Sequence, residues 1–153
     1  MTMRKQKWVL LAEDNTNDAR LTLRALAASF SPNNVTLASD GAEALDCLYR
    51  RGRFQSSGVD SLSLVLLDLK MPKVDGLDVL RAIKADEALK TIPVVMLTSS
   101  REEQDLVRSY KLGANAYVVK PVDFRSFIDA VRQLGAFWAV VNVPPPGAMN
   151  QHG

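Results

Sequence analysis

The chain has 153 residues, 47% of them apolar and 24% charged, with 19 basic against 17 acidic side chains and a formal net charge of +2. That length suits one domain with a sizeable core. Charge of both signs scattered along the chain disfavours a dedicated nucleic-acid binder, which gathers Lys and Arg on one element.

Residues 1–7 carry Arg4, Lys5 and Lys7 and read as a basic N-terminal arm. Trp8 to Ala12 is an apolar run that acids follow at once, at Glu13 and Asp14. It is too short for a signal peptide or a membrane span and reads as a strand, so the expected location is the cytoplasm. Thr16 or Asn17 is the expected cap of a helix with Ala19, Leu23, Leu26 and Phe30 on its apolar face. Ser31 to Asn34 is a turn, and Val35 to Ala38 a second short strand. Asp40 caps a second helix bearing Ala44, Leu45, Leu48 and Tyr49, and Arg50, Arg51 and Gly52 mark its end. Cys47, the lone cysteine, excludes an intramolecular disulfide and reads as a reduced core residue of that helix. Phe54 to Ser61 is a polar surface loop.

Leu64 to Leu67 is a third, continuously apolar strand that ends abruptly at Asp68, and Asp75-Gly76 follows as a turn signal. A helix is expected from about Leu77 to Ala85 on Leu77, Leu80 and Ile83. Ile92 to Leu97 is the fourth strand, with its proline near the start. Thr98-Ser99-Ser100 closes it, a serine can cap the next helix, and Glu102 and Glu103 fall in the first turn. That helix carries Leu106, Val107 and Tyr110 and stops at Leu112-Gly113. Ala116 to Val119 is the fifth strand, ending in Lys120-Pro121. Asp123 caps a last helix with Phe124, Phe127, Ile128, Val131, Leu134 and Trp138 as its stripe. Strands alternating with helices in this way predict a parallel α/β sheet covered on both faces, joined by right-handed crossovers.

In a parallel sheet the carboxyl ends of all strands lie along one edge, where open α/β sheets bind their ligands. Glu13 and Asp14, Asp68, Thr98 with Ser99, and Lys120 are therefore expected in one crevice. Each alone has a plain reading as a loop acid, a cap or a surface ammonium. Together they support phosphoryl transfer. Clustered carboxylates repel unless a cation neutralises them, and Mg²⁺ takes carboxylates, carbonyls and waters. One carboxylate can then attack phosphorus, with a lysine and a hydroxyl holding the transferred group. The added charge makes such a product a switch.

Glu13-Asp14, Asp68 with Met71-Pro72 and Asp75-Gly76, Leu97-Thr98-Ser99 and Tyr117-Val118-Val119-Lys120-Pro121 resemble the receiver domain of two-component response regulators, over roughly Trp8 to Leu134. The resemblance implies a flavodoxin-like (βα)5 fold with strand order 2-1-3-4-5 and a receiver spanning residues 8–140. It implies Asp68 as the phosphoacceptor. Mg²⁺ (or Mn²⁺) would be bound by Asp14, Asp68 and the backbone carbonyl of Lys70, with Glu13 acting through water. It gives Thr98, Ser99 and Lys120 to the phosphoryl group, makes Tyr117 the switch aromatic, and makes the bond before Pro121 cis. Tyr117 also reads as a half-buried strand residue. Glu13 replaces the family's more frequent Asp, and Lys70 is a long base beside the acceptor, expected to modulate phosphoryl lifetime. Glu13-Asp14-Asn15 with Asp18, the long loop Arg51 to Ser61, and Phe137-Trp138 are similar to the small response regulators that accompany bacterial and cyanobacterial phytochrome kinases.

No effector domain is expected after the last helix, because a DNA-binding output needs several tens of residues more. Residues 141–153, with Pro144-Pro145-Pro146, read as an extended tail. Phe137, Trp138, Val141 and Val143 would expose an apolar patch if free. They either fold back on their own domain or form an arm that docks on a second protomer. The helix from Arg101 to Leu112, the fifth strand and the last helix are the other usual dimer face of receivers. The expected partners are a sensor histidine kinase of phytochrome type, a second copy of the chain, and a histidine phosphotransfer protein, with no DNA and no membrane. Two alternatives carry different chemistry. A receiver-like scaffold would work without phosphorylation. A phosphohydrolase with an Asp nucleophile would want a second Asp where Lys70 stands.

Overall fold

The computed structural model describes residues 8–27, 30–54, 62–99, 108, 110–120 and 122–133. Strands β1 (Trp8–Ala12), β2 (Val35–Ala38), β3 (Leu62–Asp68), β4 (Val94–Thr98) and β5 (Ala116–Val119) alternate with helices α1 (Thr16–Leu26), α2 (Gly41–Leu48), α3 (Gly76–Ala85) and α4 (Phe124–Gln133). The strands form one parallel sheet in the order β2-β1-β3-β4-β5, the expected flavodoxin-like order.

The apolar runs of β1, β3 and β4 suit strands covered on both sides. Successive side chains alternate between the faces. Leu10, Val65, Leu67 and Met96 pack with Cys47, Leu80 and Ile83 of α2 and α3. Val9, Leu11, Leu66 and Leu97 pack with Ala25 and Leu26 of α1 and Phe127 and Ala130 of α4. Cys47 is the inert core residue its sequence context suggests, and burial pushes its thiol up to about 11.

The helix ends follow local chemistry, with some corrections. The cap of α1 is Asn15, not Thr16 or Asn17: its Oδ1 accepts the Asp18 N–H at 3.0 Å. Asp40 accepts the Glu43 N–H at 2.8 Å, and Asp123 accepts the Ser126 N–H at 2.7 Å, as expected of caps. Helix α2 closes on Arg50, which takes the left-handed conformation (φ 56°) ahead of Gly52. The Arg51 N–H reaches the Asp46 carbonyl at 2.7 Å and the Arg50 N–H the Cys47 carbonyl at 3.3 Å, a Schellman closure. Tyr49 is consequently turned outward, with the Arg51 guanidinium 5.1 Å over its ring.

Phe54, expected in a surface loop, is buried at the end of a 3₁₀ turn (Gly52–Phe54) and anchors that turn in the core. Phe124, expected in the apolar stripe of the last helix, is exposed. It is the first helical residue, and side chains there project back past the helix start rather than onto the sheet. The predicted helix from Arg101 to Leu112 lies mostly outside the described residues, though Arg108, Tyr110 and Lys111 are helical. The basic arm, Pro121, Leu134 and the C-terminal segment with Phe137, Trp138, Val141 and Val143 also lie outside them.

Candidate functional site

Parallel pairing brings the strand ends to one edge. Asp68 is the last residue of β3 and pairs with Leu97; Thr98 is the last of β4 and pairs with Val119. Glu13 follows β1 and is fixed by its N–H, which donates to the Ala38 carbonyl at 2.9 Å. Lys120 follows β5, and its N–H donates to the Thr98 carbonyl at 2.7 Å. The strands thus set the backbone positions of all four groups before any side chain interacts.

Those side chains form a buried ion cluster. Lys120 Nζ stands 2.7 Å from Glu13 Oε1, 3.0 Å from Asp18 Oδ2 and 3.2 Å from Asp68 Oδ2. Glu13 is fully buried, and Asp68 and Lys120 nearly so. Asp14, exposed, joins Glu13 and Asp68 in a set whose carboxylate oxygens lie within 4.8 Å of one another. The Asn15 N–H donates to Glu13 Oε2 at 3.2 Å. Glu13 Oε1 is buried, and the charge that faces it is the Lys120 ammonium 2.7 Å away. This oxygen-rich set fits a small hard divalent ion.

Burial pushes the Asp68 carboxyl up to about 8, with the neighbouring Glu13 adding to the rise and Lys120 opposing it. Burial works against the Lys120 ammonium, but Glu13, Asp18 and Asp68 outweigh it and hold the ammonium above its ordinary range. A carboxyl raised this way binds a proton in the folded chain that the unfolded chain has released. Stability therefore falls as pH rises from about 4 to about 8. Asp68→Asn is expected to flatten that slope and raise stability at pH 8 by about 1–3 kcal/mol, discounted for solvent screening at the open crevice. Urea denaturation of both chains at pH 5 and pH 8 measures it; equal slopes would show that Asp68 is ionised throughout.

The loop from Leu69 to Asp75 leads from Asp68 to α3. Its end is pinned where the Gly76 N–H donates to the Leu69 carbonyl at 2.9 Å, and Lys73 Nζ pairs with Asp40 at 3.2 Å. Gly41 sits directly under it: a Cβ there would lie 1.8 Å from the Val74 carbonyl oxygen.

The response regulator receiver domain family matches residues 9–132. The chain belongs to this family. The receiver is 40% identical over 138 residues (90% of this chain, 86% of the relative) to the probable methanogenesis regulatory protein FilR2 of Methanothrix harundinacea. Among solved structures, the bacteriophytochrome response regulator AtBRR is 54% identical with a TM-score of 0.79, covering 88% of this chain and 96% of its own. The Mn²⁺-bound form of response regulator Rcp1 is 36% identical with a TM-score of 0.72, covering 92% of this chain and 99% of its own; Rcp1 is from Synechocystis sp.. The phosphorylated cyanobacterial phytochrome response regulator RcpA is 36% identical with a TM-score of 0.73, covering 92% and 98%. This receiver is thus related to phytochrome response regulators.

The receiver brings Glu13, Asp14, Asp68 and Lys120 into one cluster, with Thr98 buried at the same sheet edge. Ser99 and Lys70 are exposed beside it. Tyr117 is half-buried and packs on the face shared with α2 and α3. Asp18, offered by the sequence only as part of the Glu13-Asp14-Asn15 resemblance and not as a site residue, enters the cluster through Lys120. Its signal was available: it stands three residues after the Asn15 cap, in the first turn of α1 beside the crevice. No helix among the described residues is long and apolar enough to cross a membrane.

Proposed function

We propose that this response regulator accepts a phosphoryl group on Asp68 from a histidine kinase of phytochrome type, and signals by protein contact or by passing the group to a histidine phosphotransfer protein. The observation that carries the reading is Asp68 itself, a buried strand-end carboxylate 3.2 Å from an ammonium and grouped with Glu13 and Asp14. An Asp68 oxygen forms the bond to phosphorus as the bond from phosphorus to the donor's histidine nitrogen breaks, and that nitrogen keeps the electron pair. Lys120 and Thr98 stabilise charge on the transferred oxygens. Glu13, Asp14, Asp68 and the Lys70 carbonyl would hold Mg²⁺ or Mn²⁺, which supplies neutralising charge for the incoming phosphoryl group.

Relatives support the finer points. AtBRR is named for a bacteriophytochrome, Rcp1 was solved with Mn²⁺, and RcpA was solved phosphorylated. On this reading residues 8–140 are the receiver, Tyr117 follows Thr98 as the switch, and Phe137, Trp138, Val141 and Val143 belong to an arm on a second protomer. The test is incubation with acetyl phosphate and Mg²⁺, read by intact mass and light scattering. One added phosphoryl group, labile to hydroxylamine and lost in Asp68→Asn, is the expected result. A folded chain that gains none from acetyl phosphate or from a phytochrome kinase, or an adduct that survives in Asp68→Asn, overturns the reading.

A further inference from the structure

An ammonium has three N–H donors. At Lys120 the three carboxylates of Glu13, Asp18 and Asp68 lie within reach of them, at 2.7, 3.0 and 3.2 Å. Glu13 and Asp68 belong to the acidic cluster. Asp18 does not: it reaches in from α1, its side chain about a third exposed, and its bond to Nζ spans 102 positions of sequence. Its backbone N–H, not its carboxylate, serves the Asn15 cap. The side chain is therefore not needed to start the helix, and its partner is Lys120.

We propose that Asp18 is a positioning residue for Lys120: its carboxylate draws the ammonium toward α1 and limits how tightly the crevice holds an anion on Asp68. This rests on the reading of Asp68 as acceptor. An incoming phosphoryl oxygen must take over one of the donors of Nζ, and the longest of the three contacts, to Asp68, is the one it would replace. Asp18 keeps its share of the ammonium throughout, and so the anion meets a lysine already partly neutralised. The exposed rim position makes Asp18 the one of the three carboxylates that a change of side chain can alter without leaving a buried gap.

The test uses beryllofluoride with Mg²⁺ as the phosphoryl mimic, titrated into the native chain, Asp18→Asn, Asp18→Glu, Lys120→Met and the Asp18→Asn/Lys120→Met pair. Releasing the Lys120 ammonium from one of its three carboxylates in a water-lined crevice predicts about three- to tenfold tighter binding for Asp18→Asn. Asp18→Glu is expected to restore the native affinity. In the Lys120→Met background the Asp18→Asn gain should disappear, which an effect on fold or on the general field would not reproduce. Urea midpoints of the same set should be non-additive for Asp18 and Lys120, a readout that needs no anion. Unchanged or weaker binding in Asp18→Asn overturns the proposal, as does an equal gain with Met at position 120. A native chain that takes neither beryllofluoride nor phosphoryl overturns the acceptor reading, and the role of Asp18 toward it falls as well. The urea cycle then still reports whether Asp18 holds Lys120.

Discussion

Lys120→Met is expected to destabilise the fold by about 2–4 kcal/mol at pH 8, in urea without divalent ions, because it removes the cation from a buried cluster and leaves its carboxylates facing one another. Methionine preserves the length and apolar stem of the lysine, so the loss is electrostatic rather than a packing defect. A fully buried pair would cost more; the crevice opens to water at Asp14 and Asp18, and that screening lowers the figure. The sign of the pH dependence follows from the two groups. The Lys120 ammonium is held above its ordinary range, so its stabilisation is present across neutral pH and is lost only in strong base. Asp68 is already pushed up to about 8, and without the opposing lysine it holds its proton more firmly. The native chain already holds that proton below about pH 8, so the deficit is nearly flat from pH 5 to pH 7 and grows above pH 8, where native Asp68 ionises beside the lysine while the variant goes on losing stability. Added Mg²⁺ should recover part of the deficit by supplying the missing charge. A deficit that stays constant from pH 7 to pH 10 would mean that the stem of Lys120, and not its charge, supports the site.

The sequence made the scaffold legible because its signals are local and repeated. Leu64 to Leu67 can only be satisfied by cover on two faces, and Asp40, Asp75 and Asp123 each stand where the following N–H groups need an acceptor. The site was legible for the same reason: strand ends can be read from where apolar runs stop, and a parallel sheet sends Glu13, Asp68, Thr98 and Lys120 to one edge.

What escaped reading depended on contacts between distant segments. Asp18 reads in the sequence only as part of the Glu13-Asp14-Asn15 resemblance, and its place in the first turn of α1 sets it beside the crevice without saying that Lys120 reaches it. Phe54 sits among polar residues, and only the packed core shows that it is an anchor. Arg50 takes a left-handed conformation that composition assigns to the nearby glycine, because the closing carbonyls of α2 fall at Asp46 and Cys47. Phe124 has the spacing of a core residue but lies at the helix start, where spacing no longer decides direction. Gly76 reads as half of a turn signal, yet it is helical, and its lack of a side chain answers to a strand rather than to the turn.

That close approach gives the second large effect. A Cβ built on Gly76 would lie 2.1 Å from the Asp68 carbonyl oxygen and 2.9 Å from Leu69 Cα. Both are backbone atoms at the end of β3, held by the Leu69 N–H bond to Leu97 at 2.9 Å, so neither can swing aside as a side-chain tip would. Gly76→Ala is therefore expected to cost about 3 kcal/mol or more, at the upper end of overpacking effects, even though alanine is the better helix former. What survives folded should have Asp68 displaced, and so should show little of the Mg²⁺-dependent rise in Tm expected of the native chain. Gly52→Ala is the control. Gly52 has a φ of +57° and open space around it, so alanine there meets only the left-handed backbone penalty, about 1 kcal/mol. It lies far from Asp68 in the chain and should leave the response to Mg²⁺ intact. Equal urea midpoints for the two alanine variants, with Mg²⁺ stabilisation retained in both, would show that α3 can move off the end of β3 and that the tight approach at Gly76 does not hold Asp68 in place.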